Sequence, residues 1–221
     1  MKKHIICLGD SNTHGYCADP NDCADKELAR YNEEERWTCL LQKALGNEYL
    51  ICEEGLSGRT TVFQDYLYDG LDALHYLWPC LKTHEPVSLL VIMLGTNDVK
   101  ERFSVNAHAI AIGMRRLIQY AQRTDCWGPN STPNILVICP PPIGEGLLTS
   151  RVYPEMGNGA IEKSRELPAY YKTICKETGV HFLDAGAAGV TFNDVDFMHL
   201  TKESHRKLAN ILAHLIPTLL Q

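Results

Sequence analysis

Five short, almost unbroken apolar runs punctuate the chain, at His4–Leu8, Tyr49–Cys52, Ser88–Leu94, Ile135–Cys139 and His181–Leu183. Runs of this length, apolar on both faces, predict buried parallel strands. Between them apolar residues recur at helical spacing, which predicts helices over Arg36–Leu45, Leu71–Lys82, Ala107–Arg123, Ile161–Thr178 and Lys202–Leu220. In the last of these, Leu208, Ile211, Leu212, Leu215 and Leu219 form one apolar stripe, with Thr201 standing where a helix cap is wanted. Such alternation predicts an α/β protein, a parallel sheet covered by helices on both faces. No repeat, low-complexity tract or linker divides the sequence, so residues 1–221 are expected to form one domain. Two stretches, 16–35 and 140–158, interrupt the alternation as long loops, which in a compact domain often wall or cover a binding site.

Parallel sheets bind ligands beyond the carboxyl ends of their strands, so the polar loops there carry the functional signal. Gly9-Asp10-Ser11 follows the first strand, Gly55-Leu56-Ser57-Gly58-Arg59 the second and Gly95-Thr96-Asn97-Asp98 the third. Asp196-Phe197-Met198-His199 lies in a loop just before the final helix. A serine hydroxyl needs an adjacent base, usually histidine, that is itself oriented by a third group. Of nine histidines, His4 and His181 lie in or beside strands, and His75, His108, His205 and His214 fall within helical segments. His84 sits in a short helix-to-strand loop without a signal of its own, and His14 is too near Ser11 in sequence to assign. His199 is the candidate base and Asp196 its orienting acid, with Asp194 and Asp184 as alternatives. The backbone N–H groups of Ser11 and Gly58 and the Asn97 amide are candidate oxyanion donors. Each residue also has a plain structural reading. Ser11 suits a helix cap, while Gly58 and Asn97 suit ordinary turns.

Composition narrows the setting. The chain is 45% hydrophobic and 22% charged, with a formal net charge of −6, which argues against a nucleic-acid binder. None of the nine cysteines forms a Cys-x-x-Cys pair, so no zinc knuckle or thioredoxin-type motif is present, and a reducing cytoplasm is the expected setting. The N-terminus carries no signal-peptide core, and no apolar stretch nears the roughly 18–20 residues of a membrane span.

In their order, the four loops resemble the blocks of the GDSL/SGNH hydrolase family, marked by Ser, Gly, Asn and His. Gly9-Asp10-Ser11 is similar to the first, Gly58 to the second, Gly95-Thr96-Asn97-Asp98 to the third and Asp196-Phe197-Met198-His199 to the last. Glu53–Thr61 and Met93–Asp98 look closest to the arylesterase/acyltransferase branch. The resemblance implies a flavodoxin-like three-layer α/β/α sandwich on a five-stranded parallel sheet, and a serine esterase with catalytic Ser11, Asp196 and His199. It implies an oxyanion hole of Ser11, Gly58 and Asn97, small-molecule ester substrates, and no metal or cofactor. It also implies a homo-oligomer, for which Trp78, Leu81 and the apolar residues of 140–148 could supply contacts or sit in the core. Asp10, Asn12, His14, Tyr16 and Arg59 are the pocket candidates. Asn12 departs from the leucine common after the nucleophile, and His14 and Tyr16 stand where the branch often has aromatic residues. Deacetylation of carbohydrates is the alternative within the family. A flavin- or nucleotide-binding module is the alternative outside it, since Ser11-x-Thr13-x-Gly15 is loosely similar to a flavodoxin phosphate loop.

Overall fold

The structure is a computed structural model that describes residues 1–25, 29–128 and 132–221. Residues 26–28 of the 16–35 loop therefore lie outside the described residues. In chain order the elements are β1 (Lys3–Gly9), α1 (Ser11–His14), α2 (Trp37–Leu45), β2 (Tyr49–Gly55), α3 (Ala73–Thr83) and β3 (Val87–Met93). They continue with α4 (Ala107–Arg123), β4 (Ile135–Cys139), α5 (Tyr153–Met156), α6 (Ala160–Thr178), β5 (His181–Asp184) and α7 (Lys202–Leu219). The five strands run parallel in the order β2-β1-β3-β4-β5, the three-layer arrangement expected from the sequence.

Alternation along each strand splits the core between two faces. Ile5 and Cys7 of β1, with Leu89, Val91 and Met93 of β3, meet Trp37 and Leu41 of α2 and Leu208, Leu212 and Ile216 of α7. Ile6 and Leu8, with Leu90 and Ile92, face the opposite layer, formed by α3, α4 and α6. Continuous apolar runs were thus the mark of strands buried on both sides. Among the described residues no helix is long and apolar enough to cross a membrane.

The element ends differ from the sequence reading for local reasons. Arg36 is not helical; it is the extended residue before α2. The third helix begins at Ala73 rather than Leu71, because the Asp72 carboxylate accepts the His75 N–H and fixes the start there. Thr201 does cap α7, its hydroxyl accepting from Ser204 N–H at 3.1 Å. The 140–158 stretch is not a plain loop, since a 3-10 turn (Glu145–Thr149) and α5 fall inside it. Leu81 is buried whereas Trp78 is half exposed, so only Trp78 of that pair is open to a partner.

Chain order places the sheet's switch point between β1 and β3, which flank each other although β2 comes between them in sequence. A crevice for ligand is expected at the carboxyl ends of those two strands.

Candidate active site

Four loops converge at that crevice. β1 ends at Gly9, the Asp10 carboxylate caps the next turn by accepting Asn12 N–H at 2.9 Å, and Ser11 opens α1. The Ser11 hydroxyl lies 2.8 Å from His199 Nε2, although 188 residues separate the two. On the other side of the ring, His199 Nδ1 lies 2.6 Å from Asp196 Oδ2. A carboxylate accepts from Nδ1–H, which leaves Nε2 as the acceptor facing the serine hydroxyl. Neither Asp194, which is exposed, nor Asp184, whose carboxylate accepts from Ala187 N–H, is joined to His199.

The Asp196–His199 turn is built tightly. Asp196 Oδ1 accepts from His199 N–H at 3.1 Å, Met198 N–H at 3.2 Å and the Asn193 amide at 3.1 Å. Burial pushes the Asp196 carboxyl up, but the His199 imidazole and these backbone N–H groups outweigh it and hold it below the ordinary carboxylate value. Asn193 was missed in the sequence. Its amide oxygen accepts from Val195 and Asp196 N–H, and its amide N–H reaches His199 O at 2.8 Å. An Asn at the start of Asn193-Asp194-Val195-Asp196 is the ordinary signal for such an Asx turn. Phe197 takes a left-handed φ of 63°, and its ring lies so close over Gly146 that a Cβ there would sit 2.2 Å from the ring. The Phe197 carbonyl also accepts from Gly144 N–H at 2.9 Å. The 140–158 segment therefore buttresses the histidine turn. Tyr16, another pocket candidate, stands over the histidine with ring centroids 4.5 Å apart.

Gly58 has φ +86°, a conformation strained for any side chain, in the loop after β2. Asn97 is buried, and its amide donates to Arg59 O at 3.2 Å, tying the third loop to the residue after Gly58. A cavity of about 580 Å³ opens beside Gly58, walled by Ser57, Leu67, Tyr68, Leu71, Lys100 and Glu155.

Three pocket candidates are tied to the backbone around the relay. Asp10, Asn12 and Arg59 are 1%, 1% and 3% exposed. The Asn12 amide accepts from Leu200 N–H at 2.9 Å and donates to Met198 O at 3.3 Å, clamping the backbone on both sides of His199. Arg59 donates to the Gly9 and Glu54 carbonyls and stacks over Tyr76, 4.7 Å from the ring centroid. His14 has its charged form disfavoured by burial and then by Arg30 and Arg36, and no hydrogen bond joins it to Ser11 or His199. The turn after β1 also differs from a phosphate loop, because the Asp10 carboxylate already occupies Asn12 N–H where an anion would dock.

Beneath the loops lies a second acid. Asp98 is fully buried, and its Oδ1 accepts both the N–H and the hydroxyl of Thr61. Burial, aided by the nearby Asp10 charge, raises its carboxyl from 3.8 to about 6 against those hydrogen bonds; burial lifts Asp10 to about 6 as well. A raised folded pKa means that the folded state holds its protons longer. The stabilising effect is complete below about pH 4 and is lost as pH rises through about 6. Asp98→Asn keeps the acceptor for Thr61 without the charge. Relative to the wild type it should gain about 1–3 kcal/mol at pH 7 and nothing near pH 4. Thermal melts at the two pH values check this; an equal shift at both would contradict it.

A parallel α/β sandwich with a Ser–His–Asp relay at its switch point defines a class of hydrolytic fold and site. The chain belongs to the GDSL-like lipase/acylhydrolase family, whose model matches residues 7–207. It is similar to the M. smegmatis aryl esterase, at 35% identity over 98% of this chain and 99% of that one, with a TM-score of 0.87. A carbohydrate acetylesterase family member from Sinorhizobium meliloti is similar at 33% identity over 99% of both chains, with a TM-score of 0.86. The lipase/acylhydrolase from Enterococcus faecalis, 17% identical over 99% of this chain and 97% of that one with a TM-score of 0.70, shares the fold. No curated protein matches the chain.

Proposed function

We propose that the protein is a serine esterase that cleaves small carboxylic esters through an acyl-enzyme. The observation that carries this reading is the continuous relay, 2.8 Å from Ser11 to His199 and 2.6 Å from His199 to Asp196. Ser11 attacks the acyl carbon while His199 Nε2 takes its proton, and Asp196 holds the Nδ1–H tautomer and stabilises the imidazolium. Negative charge then builds on the carbonyl oxygen. The N–H groups of Ser11 and Gly58 and the second N–H of the Asn97 amide are its donors. His199 returns the proton to the leaving alkoxide, and water activated by the same imidazole releases the acid.

Asn97→Ala should lower kcat for p-nitrophenyl acetate by about 10²–10³ with the fold intact, the usual effect of losing one oxyanion donor. A loss confined to KM would argue against this role. Asn12→Leu, which removes both amide bonds to the 198–200 backbone, should lower kcat about 10-fold or more with little change in KM, since a small misplacement of the base is costly. Stopped-assay kinetics separate the two effects.

The aryl esterase and carbohydrate acetylesterase relatives suggest two substrate classes, aryl acetates and acetylated sugars. Rates on p-nitrophenyl esters of rising chain length, set beside acetylated oligosaccharides, decide between arylesterase and carbohydrate deacetylase. Acyl transfer to an alcohol is a variant of the same chemistry that depends on excluding water. We further infer one domain over residues 1–221, assembly into a homo-oligomer through the exposed Tyr66, Leu67 and Trp78, and a reducing, cytoplasmic setting in keeping with nine free cysteines.

A further inference from the structure

On the far side of β2 from α2, three side chains that the esterase reading leaves unused meet between β2 and α3. Cys80 lies in the penultimate turn of α3 and His84 caps that helix, so the four-residue spacing puts both on one face. Glu54, near the end of β2, reaches them; its Oε1 lies 2.6 Å from His84 Nε2. One ligand atom from each of the three residues lies within 4.8 Å of the others. We propose that Glu54, Cys80 and His84 bind one divalent cation of the zinc class.

The donor set selects the metal. Thiolate, imidazole and carboxylate together suit a borderline-soft ion such as Zn2+, and three protein ligands leave a fourth position for water. Bond lengths of about 2.0–2.3 Å in a tetrahedron place donor atoms roughly 3–4 Å apart, so the ligands need only small side-chain rotations. An outer partner is in place, since the Tyr76 hydroxyl donates to Glu54 Oε2 at 2.6 Å and fixes the carboxylate. There is also an entry path. Cys80 is buried, but the side chains of His84 and Glu54 are 26% and 17% exposed. Arg59, stacked on Tyr76, is the neighbouring cation. Two anionic ligands cancel the charge of a divalent ion, so the loaded site is electrically neutral.

Binding moves protons in a defined way. The Cys80 thiol gives its proton to solvent and binds as thiolate. The His84 proton shifts to Nδ1, freeing Nε2 for the ion, and Glu54 exchanges its bond from His84 for the metal. With one proton released, affinity should rise about tenfold per pH unit below the thiol pKa. The ion would pin β2 to α3 directly before the Gly55–Arg59 loop.

Titration of the full, chelator-washed chain with Co2+ tests this. The wild type is expected to take up one equivalent, with a thiolate-to-cobalt charge-transfer band and tetrahedral d–d bands. Zn2+ should displace the Co2+ and raise Tm. Cys80→Ser should abolish the charge-transfer band and weaken binding at least tenfold. Cys39→Ser, which alters a half-exposed thiol elsewhere, and Ser11→Ala should both leave binding unchanged. Because Ser11→Ala removes the proposed nucleophile, failure of the esterase reading is separable from failure of this one. Should Cys80→Ser not fold, Glu54→Gln and His84→Ala carry the test from the more open side and should each weaken binding at least tenfold. No cobalt–thiolate band in the wild type, a band that survives Cys80→Ser, or unchanged affinity in Glu54→Gln and His84→Ala would overturn the proposal.

Discussion

Ser11→Ala is expected to remove ester hydrolysis almost entirely, lowering kcat by about 10⁴ or more while the protein folds as before. The size follows from the relay. Without the hydroxyl, His199 and Asp196 have nothing to activate, and only the oxyanion donors and substrate binding remain. The fold should survive because Ser11 opens a four-residue helix whose cap is the Asp10 carboxylate, which the substitution leaves alone. The Ser11 side chain is buried against His199 and carries none of the core. Activity on p-nitrophenyl acetate, read beside the thermal melt, gives both halves of the result. Retained hydrolysis with an unchanged melt would move the nucleophile elsewhere.

Asp196→Asn is expected to cost about 10³–10⁴ in kcat, nearly as much, although it changes one atom. Asp196 receives Nδ1–H, so Nε2 is left with its lone pair toward Ser11. An asparagine that turned its N–H toward the ring would force the opposite tautomer, in which Nε2 carries the proton and cannot accept another. The turn itself should hold, because Asn193 bonds to the 195–196 backbone and to His199 O independently of the charge. The acidic carboxyl of Asp196 supplies a second signature. Its stabilising effect is present above the ordinary carboxylate pKa and lost as pH falls through the lowered one. The variant should lose that acid-side decline in Tm. A melt that still declines as steeply in acid would assign the effect to another group.

The sheet was legible because strands buried on both faces leave apolar runs with no polar alternation, as in Leu89–Met93. The four site loops were legible because three follow an apolar run and the fourth precedes the last apolar helix, and because Ser11, Gly58, Asn97 and His199 are residue types with little reason to recur there in that order. What escaped was the framework that holds them. Asn12 and Arg59 bond to backbone 186 and 50 residues away, contacts that a sequence does not show. Asn193 was hidden in an unremarkable polar turn. The helix at 153–156 was hidden because Pro154 and two nearby glycines read as loop. Glu54 and His84 sit 30 residues apart on different elements, and only the packing of α3 against β2 joins them.

Covalent trapping tests directly whether the Ser11 Oγ is the attacking atom. An alkyl p-nitrophenyl phosphonate mimics the tetrahedral intermediate and stays on the nucleophile. Peptide mass mapping is expected to find one phosphonyl group per chain, on Ser11, formed at the rate at which activity is lost and absent from His199→Ala. Inactivation with the label on another residue, or full activity after Ser11 is labelled, would place the nucleophile elsewhere.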